Sequence, residues 1–373
     1  MGYCRPYPPV PANALLAGCY HPDDCVGPGR LARTWVGSTM SDASTRRFLT
    51  ATGESFGHEI VVLSDTEADT QAILAPGFGF PCIGFRVTLE DGIWNVVAEP
   101  PDAESFQTRV GRYGVPIMFP WPNRMRDGAF TFGGQSYRLP LSAQGQHAIH
   151  GLTRERAWTV EASGTDDSGA FCRASVVLGD APDDPWPFPC RLTVEYRLHG
   201  RALRIVAEAQ NLGAVPMPMG FGIHPWFEVP FGSGAARGQI ELRVPAAGFW
   251  ELDATTCTTG AVHPIADGFD AREWQPLGGR FIDDVLTDLQ HADGWHTAEV
   301  RDPENGRSIA VRSDAVFREH VVFAPLHTDV VCLEPYTCAT DAFNLDERGI
   351  DAGRIVLQPG ERWRGIVEIE ARP

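Results

Sequence analysis

A histidine and a glutamate in two distant segments have the chemistry of an acid–base pair. His224 follows two glycines and precedes a proline, so it lies at a shaped strand end and not in a helix. Glu334 follows the apolar run 330–333, which indicates a strand that is buried on both faces and ends at Glu334. Burial raises a carboxyl pKa toward neutrality, where histidine also titrates. The simpler interpretations are a core histidine satisfied by backbone and a glutamate paired with an arginine.

A stiff loop supplies side chains that suit a polyhydroxylated ligand. Four prolines fall within residues 115–151, so the start of this segment is extended and cannot be helical. The loop carries two aromatic residues, an Asn–Arg pair and two histidines: Phe119, Trp121, Asn123, Arg124, His147 and His150. Aromatic faces match the C–H faces of a sugar, and a forked guanidinium matches its oxygens.

Two further groups of polar residues have open interpretations. His147 and His150 have an i, i+3 spacing that resembles metal-ligand spacing, but no third ligand follows at zinc spacing. We therefore expect no metal and no loss of activity in EDTA. Arg126 is interpreted as a surface residue. Asp283 and Asp284 are turn acids by default, although either could pair with Glu334 as the carboxylates of a glycosidase.

Composition excludes several classes of function. All 31 basic residues are arginine, which rules out Schiff-base, pyridoxal-phosphate and P-loop lysines. The chain has no Gly-x-Ser-x-Gly motif and therefore lacks the common serine hydrolase arrangement. Its net charge of −17 argues against nucleic acid as a partner, and no apolar run is long enough to span a membrane. The nine cysteines contain no Cys-x-x-Cys, which predicts buried reduced thiols and a cytoplasmic protein.

Periodicity predicts an all-β fold. Residues 59–63, 71–75, 239–244, 354–357 and 363–370 read as strands, and residues 129–139 form a hairpin turned by two glycines. The clearest alternation is in 192–198 and 203–209, which flank His199 and Gly200. Many short strands with Gly/Pro turns predict a large antiparallel β-sandwich, which forms one domain over 45–373.

The first part of the chain reads differently. Residues 1–44 are rich in Pro, Gly and Ala, show no period and are predicted to be a disordered leader or an over-long start. Met40 begins a stretch that resembles an ordinary protein start. We therefore expect residues 1–39 to be dispensable for stability and activity.

Five segments together resemble the aldose 1-epimerase (galactose mutarotase-like) family. In order they are Phe-Pro-Trp-Pro-Asn-Arg-Met-Arg-Asp-Gly, His-Ala-Ile-His-Gly-Leu, Gly-Ile-His-Pro-Trp-Phe, Ile-Asp-Asp-Val and Leu-Glu-Pro-Tyr-Thr. The resemblance spans about residues 55–371. It implies a galactose mutarotase-like supersandwich with a carbohydrate cleft across one face. It also implies anomer interconversion of a free hexose without cofactor or metal.

The resemblance also implies roles for single residues. Glu334 matches the general base and His224 the general acid. The matching substrate-binding positions are Arg124, His150 and Asp283, with Asn123 beside them, and Asp284 replaces Asp283 after a one-residue shift. Trp226 stands where many members carry tyrosine, which alters the sugar-facing wall.

Alternatives remain at this stage. The same fold serves as a non-catalytic carbohydrate-binding or sensing domain. A hexose-6-phosphate 1-epimerase needs arginines that converge on phosphate, for which Arg124, Arg126, Arg154 and Arg156 are candidates. The predicted partner is a small sugar, with no prediction of an oligomeric state.

Overall fold

Antiparallel strands dominate the fold. The computed structural model describes residues 46–142 and 145–373. The first strands are β1 (Phe48–Ser55), β2 (His58–Asp65), β3 (Thr70–Leu74), β4 (Cys82–Leu89), β5 (Gly92–Asn95), β6 (Ile117–Met118), β7 (Arg124–Met125), β8 (Ala129–Phe132), β9 (Gln135–Arg138), β10 (Ala148–Ile149), β11 (Thr159–Asp166), β12 (Gly169–Leu178), β13 (Cys190–His199) and β14 (Ala202–Asn211). The later strands are β15 (Met217–Met219), β16 (Gly222–Ile223), β17 (Trp226–Glu228), β18 (Glu241–Arg243), β19 (Ala246–Leu252), β20 (Thr258–Pro264), β21 (Gln275–Pro276), β22 (Ile282–Leu289), β23 (Trp295–Arg301), β24 (Ser308–Asp314), β25 (Glu319–Ala324), β26 (Val330–Tyr336), β27 (Ile355–Leu357) and β28 (Arg362–Arg372).

Helices are few and short. The α-helices are α1 (Ala103–Thr108) and α2 (Ala342–Glu347), of six residues each. Single 3₁₀ turns lie at Arg126–Gly128, Arg237–Gln239 and Ile265–Asp267. None of the helices in the described residues is long and apolar enough to cross a membrane.

Two large sheets and one smaller sheet form the sandwich. The nine-stranded sheet has the order β11-β12-β13-β14-β28-β24-β23-β18-β21, and the eight-stranded sheet has the order β20-β19-β22-β25-β26-β16-β6, with β17 also paired to β26. A five-stranded sheet, β1 to β5, contacts β11, β12 and β13. Apolar side chains from all three sheets belong to one buried cluster. The fold class predicted from periodicity is confirmed.

The strand patterns explain these elements locally. In β13, Leu192, Val194, Tyr196 and Leu198 are buried, while the alternate positions Glu195 and Arg197 are half-buried. The β13–β14 hairpin and the β8–β9 hairpin form as predicted.

Four details differ from the sequence-based predictions. Asp283 and Asp284 lie within strand β22 and not in a turn. Strand β18 begins at Glu241, because residues 237–239 form a 3₁₀ turn. Strand β26 does not end at Glu334 but continues through Pro335 to Tyr336. Arg126 is not a simple surface residue: it is half-buried and pairs with Asp253 and Asp341.

The leader predicted for residues 1–44 lies outside the described residues. The six cysteines within the described ranges are buried and unpaired, as predicted.

Candidate active site

The candidate site lies where the pairing of β16 and β17 with β26 is interrupted. Gly222 of β16 pairs with Tyr336, and Trp226 of β17 pairs with Cys332. The register on both sides of the gap therefore places His224 directly opposite Glu334. Residues directly opposite each other in an antiparallel pair point to the same face of the sheet. The two predicted reactive residues, 110 positions apart in the sequence, thus become neighbours.

Prolines account for the interruption. Pro225 and Pro335 lie within the gap, and proline has no N–H to donate to a ladder. The same register places Pro335 opposite Ile223, so its missing donor falls where β16 has ceased to pair. Strand β26 can therefore run past Pro335 without losing a hydrogen bond that the sheet needs.

The His224–Glu334 pair is buried and held from both sides. The two residues are 7% and 1% exposed, and Nδ1 of His224 lies 3.3 Å from Oε1 of Glu334. This contact does not have the geometry of a hydrogen bond. Nδ1 therefore has no hydrogen-bond partner among the described residues. The Tyr336 hydroxyl donates to Oε2 of Glu334 at 2.5 Å. Trp226 stacks on His224 with ring centroids 4.8 Å apart, and its Nε1 donates to the carbonyl of Gly111.

Burial sets the protonation state of the pair. It raises the pKa of Glu334 well above its ordinary value, against the lowering effect of the Tyr336 hydrogen bond. It also lowers the pKa of His224 to about 3, with further lowering by the charges of Arg154 and Arg124. These two directions favour the form in which the pair holds one proton and that proton resides on Glu334. In a pair this close the proton belongs to both groups, and small changes can move it.

Strand register decides which aspartate faces the site. Asp283 of β22 pairs with Phe323 of β25, which pairs with Cys332 of β26. Asp283 therefore shares the face of Cys332 and Glu334, because side chains alternate along a strand. Asp284 points to the opposite face, where burial raises its pKa to about 6. Burial raises the pKa of Asp283 as well, and Arg124 opposes that effect.

The stiff loop places three further residues over the pair. Asn123 and His150 both adopt positive φ values, 53° and 60°, which non-glycine residues adopt infrequently. The N–H of His150 donates to the carbonyl of Asn123, and Nη1 of Arg124 donates to Oδ1 of Asn123. The His150 ring lies 5.3 Å from that of His224. Two unusual backbone conformations thus direct the loop toward the pair.

Two glycines permit the close approach of these segments. Gly151 has φ +70°, and a Cβ there would lie 2.1 Å from the carbonyl oxygen of Phe119. A Cβ on Gly222 would lie 2.6 Å from the ring of Tyr336. Neither distance is compatible with a side chain, so glycine is required at both positions.

An open cleft of about 1060 Å³ lies above the pair. It is lined by the seven residues predicted as site residues: Asn123, Arg124, His150, His224, Trp226, Asp283 and Glu334. Five others that the sequence singled out do not line it: Phe119, Trp121, Arg126, His147 and Asp284. Phe119 and Trp121 are buried in the hydrophobic core, so the expectation that their faces meet a sugar is wrong. His147 accepts a hydrogen bond from the backbone N–H of Asp127, and Arg126 is held by Asp253 and Asp341.

Sequence reasoning missed two residues that line the cleft. Tyr336 follows Glu334 by two residues, and this spacing places both on one face of a strand. The strand had been expected to end at Glu334, so this signal was not used. Arg154 was considered only as a phosphate candidate, yet its charge lowers the pKa of both His150 and His224. No local pattern predicts that contact.

One cluster in the site has the spacing of metal ligands. Donor atoms of His224, Cys332 and Glu334 lie within 4.8 Å of one another. A thiol must ionise to bind a metal well, and burial raises the pKa of Cys332 well above its ordinary value. The electrostatics of this cluster therefore oppose metal binding.

The fold and the site together define a class of protein: a large antiparallel β-sandwich whose cleft holds a buried carboxyl–imidazole pair beneath polar side chains. Solved structures share this fold. A galactose mutarotase-like protein from Clostridium acetobutylicum is similar with a TM-score of 0.77 and 20% identity, over 87% of this chain and 99% of that chain. Galactose 1-epimerase from Lactobacillus acidophilus is similar with a TM-score of 0.69 and 17% identity, over 87% and 98% of the two chains.

Sequence comparison identifies the family. The family model for aldose 1-epimerase matches residues 86–370, and the chain belongs to the aldose 1-epimerase family. Among its relatives is the uncharacterized protein YihR of Escherichia coli K12, which is 26% identical over 252 residues, or 66% of this chain and 76% of the relative. The resemblance stated from five short segments is thereby confirmed.

Proposed function

We propose that this protein is an aldose 1-epimerase that interconverts the α and β anomers of a free aldose by opening and closing its ring. The observation that carries the proposal is the buried His224–Glu334 pair at the base of a wide polar cleft. Ring opening needs one group that removes the proton of the anomeric hydroxyl and another that protonates the ring oxygen. Two groups that share one proton meet that need without a cofactor.

The reaction moves protons without net change. Glu334, in its ionised form, accepts the proton of the anomeric O–H while the bond from C1 to the ring oxygen breaks. His224, in its protonated form, gives its proton to that oxygen, and C1 becomes the aldehyde. Rotation about the C1–C2 bond presents the other face, and closure with the roles reversed returns both protons.

The pair reaches that starting form by one internal transfer. Burial favours the form in which the proton resides on Glu334, because it disfavours both charges. Moving it to His224 across the 3.3 Å contact creates the carboxylate and the imidazolium together. The Tyr336 hydroxyl favours this form, because it donates to the carboxyl oxygen that gains charge. Sugar hydroxyls in the cleft would supply further hydrogen bonds to it.

The remaining side chains would hold the sugar. Arg124 and His150 extend over the pair from the stiff loop, and Asp283 lies on the same face two strands away. A guanidinium donates to two hydroxyl oxygens at once, and a carboxyl accepts from a hydroxyl. Contacts from several sides would keep the sugar aligned with the pair while its ring is open.

Polarimetry tests the proposal directly. Freshly dissolved α-D-glucose and α-D-galactose should reach their equilibrium rotation faster with the protein than without it. A Glu334→Gln variant should remove most of that acceleration. Purified, folded protein that leaves a broad panel of free and 6-substituted aldoses unchanged would contradict the proposal. Binding of a sugar without turnover would instead favour the non-catalytic carbohydrate-binding alternative.

A further inference from the structure

The cleft has the opposite charge balance from the rest of the chain. The whole chain has 31 basic and 48 acidic residues, but the cleft is lined by five arginines and four carboxyl groups. The cleft arginines are Arg109, Arg112, Arg124, Arg154 and Arg156; the carboxyls are Glu155, Glu228, Asp283 and Glu334. A cleft that concentrates one sign of charge attracts ligands of the other sign.

Burial opposes the ionisation of three of those carboxyls. Burial raises the pKa of Glu334, Asp283 and Glu228 above their ordinary values. Arginine stays protonated at any ordinary pH. Burial therefore opposes the negative charges in the cleft, whereas its arginines stay charged.

Arg154 is the least compensated of these cations. Its guanidinium donates to the carbonyls of Val110 and Ile149, at 3.2 and 3.0 Å, and forms no ion pair with any described residue. Its Nε is buried and has no hydrogen-bond partner. Burial lowers the pKa of Arg154, because desolvation destabilises its charged form. A buried cation without an anion is a feature that a ligand can complete.

Two more arginines lack a carboxylate partner. The Arg112 guanidinium lines the cleft and makes no hydrogen bond or ion pair with the part of the chain that the structure describes. Within the described part of the chain, the Arg124 guanidinium donates only to the amide oxygen of Asn123. In contrast, Arg156 pairs with Asp184 at 2.9 Å, and Arg126 pairs with two aspartates outside the cleft. Elsewhere in the described chain, arginines pair with carboxylates in more than a dozen places, so the unpaired ones in the cleft stand out.

Arg154 is connected to the acid–base pair through a row of contacts along one wall of the cleft. A Cβ on Gly111 would lie 2.8 Å from Nη1 of Arg154, so the guanidinium rests on the backbone of that glycine. The carbonyl of Gly111 accepts from Trp226, whose ring stacks on His224. Arg154, Gly111, Trp226 and His224 thus form a continuous row of contacts along one wall. A group attached to the far side of a sugar ring would meet this wall.

We propose that the cleft takes an aldose that carries an oxyanion, such as a phosphate, sulfonate or carboxylate group, and that Arg154 and Arg112 bind that group. The inference rests on the proposed function for its reaction, and it specifies the class of substrate. Planar guanidinium groups match all three oxyanions with paired hydrogen bonds. The oxyanion would supply the partner that the buried Nε and the unpaired Arg112 lack.

The test compares neutral and anionic sugars on one protein. We would measure kcat/KM for anomer interconversion of glucose, glucose 6-phosphate, glucuronate and glucose with a sulfonate at C6. At least one anionic sugar should exceed glucose by about tenfold or more, and the three anions identify which oxyanion fits. Higher salt should reduce the advantage, because it screens the attraction between exposed charges.

Charge-removing variants locate the anion site. Arg154→Gln and Arg112→Gln should each lower the ratio of kcat/KM for the preferred anionic sugar to that for glucose by about 10- to 100-fold, as expected for a hydrogen bond to a charged group. Arg112→Gln is the cleaner variant, since its guanidinium makes no hydrogen bond or ion pair with the described residues and its loss should not disturb folding. The matched control is Arg201→Gln in the exposed β13–β14 turn, which should leave the ratio unchanged.

Calorimetric binding of the same four sugars separates the two proposals. If glucose is epimerised but anionic sugars have no advantage in binding or turnover, the anion site is wrong and the proposed function stands. If anionic sugars bind, and Arg112→Gln or Arg154→Gln weakens that binding, but no sugar is epimerised, the anion site stands and the proposed function is wrong. Ratios that do not change in either arginine variant would also overturn the anion site.

Discussion

Tyr336→Phe isolates one hydrogen bond in the acid–base pair. The substitution keeps the ring that packs against Gly222 but removes the hydroxyl that donates to Oε2 of Glu334. A hydrogen bond to a charged group contributes about 1.5–3 kcal/mol, and each 1.4 kcal/mol is a factor of ten. Because this bond stabilises the ionised form of Glu334, its loss should lower kcat by about 10- to 100-fold.

The pH profile distinguishes this effect from a general loss of packing. Without the hydroxyl, the pKa of Glu334 should rise further above its ordinary value, since burial would be opposed by one donor fewer. The alkaline limb of the kcat profile, where the pair loses its one proton, should therefore move to higher pH. Tyr137→Phe is the matched control, because that hydroxyl donates to Gln135 on the exposed β8–β9 hairpin. Wild-type kcat and an unmoved alkaline limb in Tyr336→Phe would refute the reasoning.

Three further predictions follow from the site and the core. Glu334→Gln and His224→Asn should each lower turnover by about 10²–10⁴-fold in polarimetry, and the double variant should lose much less than the product, because the two groups act as a unit; fully multiplicative losses would contradict a shared step. His296 is buried between the sheets with a pKa lowered by burial to about 4, so its contribution to stability is complete above about pH 6.5 and is lost as pH falls toward 4. That loss is about 3 kcal/mol in urea unfolding, and His296→Gln should flatten the pH slope; an unchanged slope would locate the effect elsewhere. Gly151→Ala should lower the thermal unfolding midpoint and the activity much more than Gly134→Ala does. Gly134 is the control because it has a similar φ but nothing within 4 Å of an added Cβ. Equal losses in the two variants would mean that backbone strain alone, and not the close approach at Gly151, causes the effect.

Periodicity predicts the strands well because a strand with one buried face has alternating apolar and polar residues. The alternation of β13 and β14 and the unbroken apolar run of β26 are examples. The end of β26 could not be predicted from its own sequence. Strand β26 continues through Pro335 because the neighbouring strand stops pairing there, and that depends on a different segment of the chain.

The site is predictable only as far as short motifs carry it. The choice between Asp283 and Asp284 needs the register of three strands, and one residue of slip reverses the answer. The pairing of Arg126 with Asp253 and Asp341, and the lack of any such pair at Arg154, depend on contacts between residues far apart in sequence. Nothing in the local sequence distinguishes these two arginines.

The interruption in strand pairing beside β26 affects how the protein loses activity on heating. Glu334 and His224 belong to the interior of a central sheet, and not to a surface loop that can open by itself. Backbone amides in such positions exchange with solvent mainly when the whole domain unfolds. Heat inactivation should therefore coincide with global unfolding, without an earlier phase in which the fold persists and activity is gone. For the same reason, mutations that destabilise the distant β13–β14 hairpin should shift both transitions together.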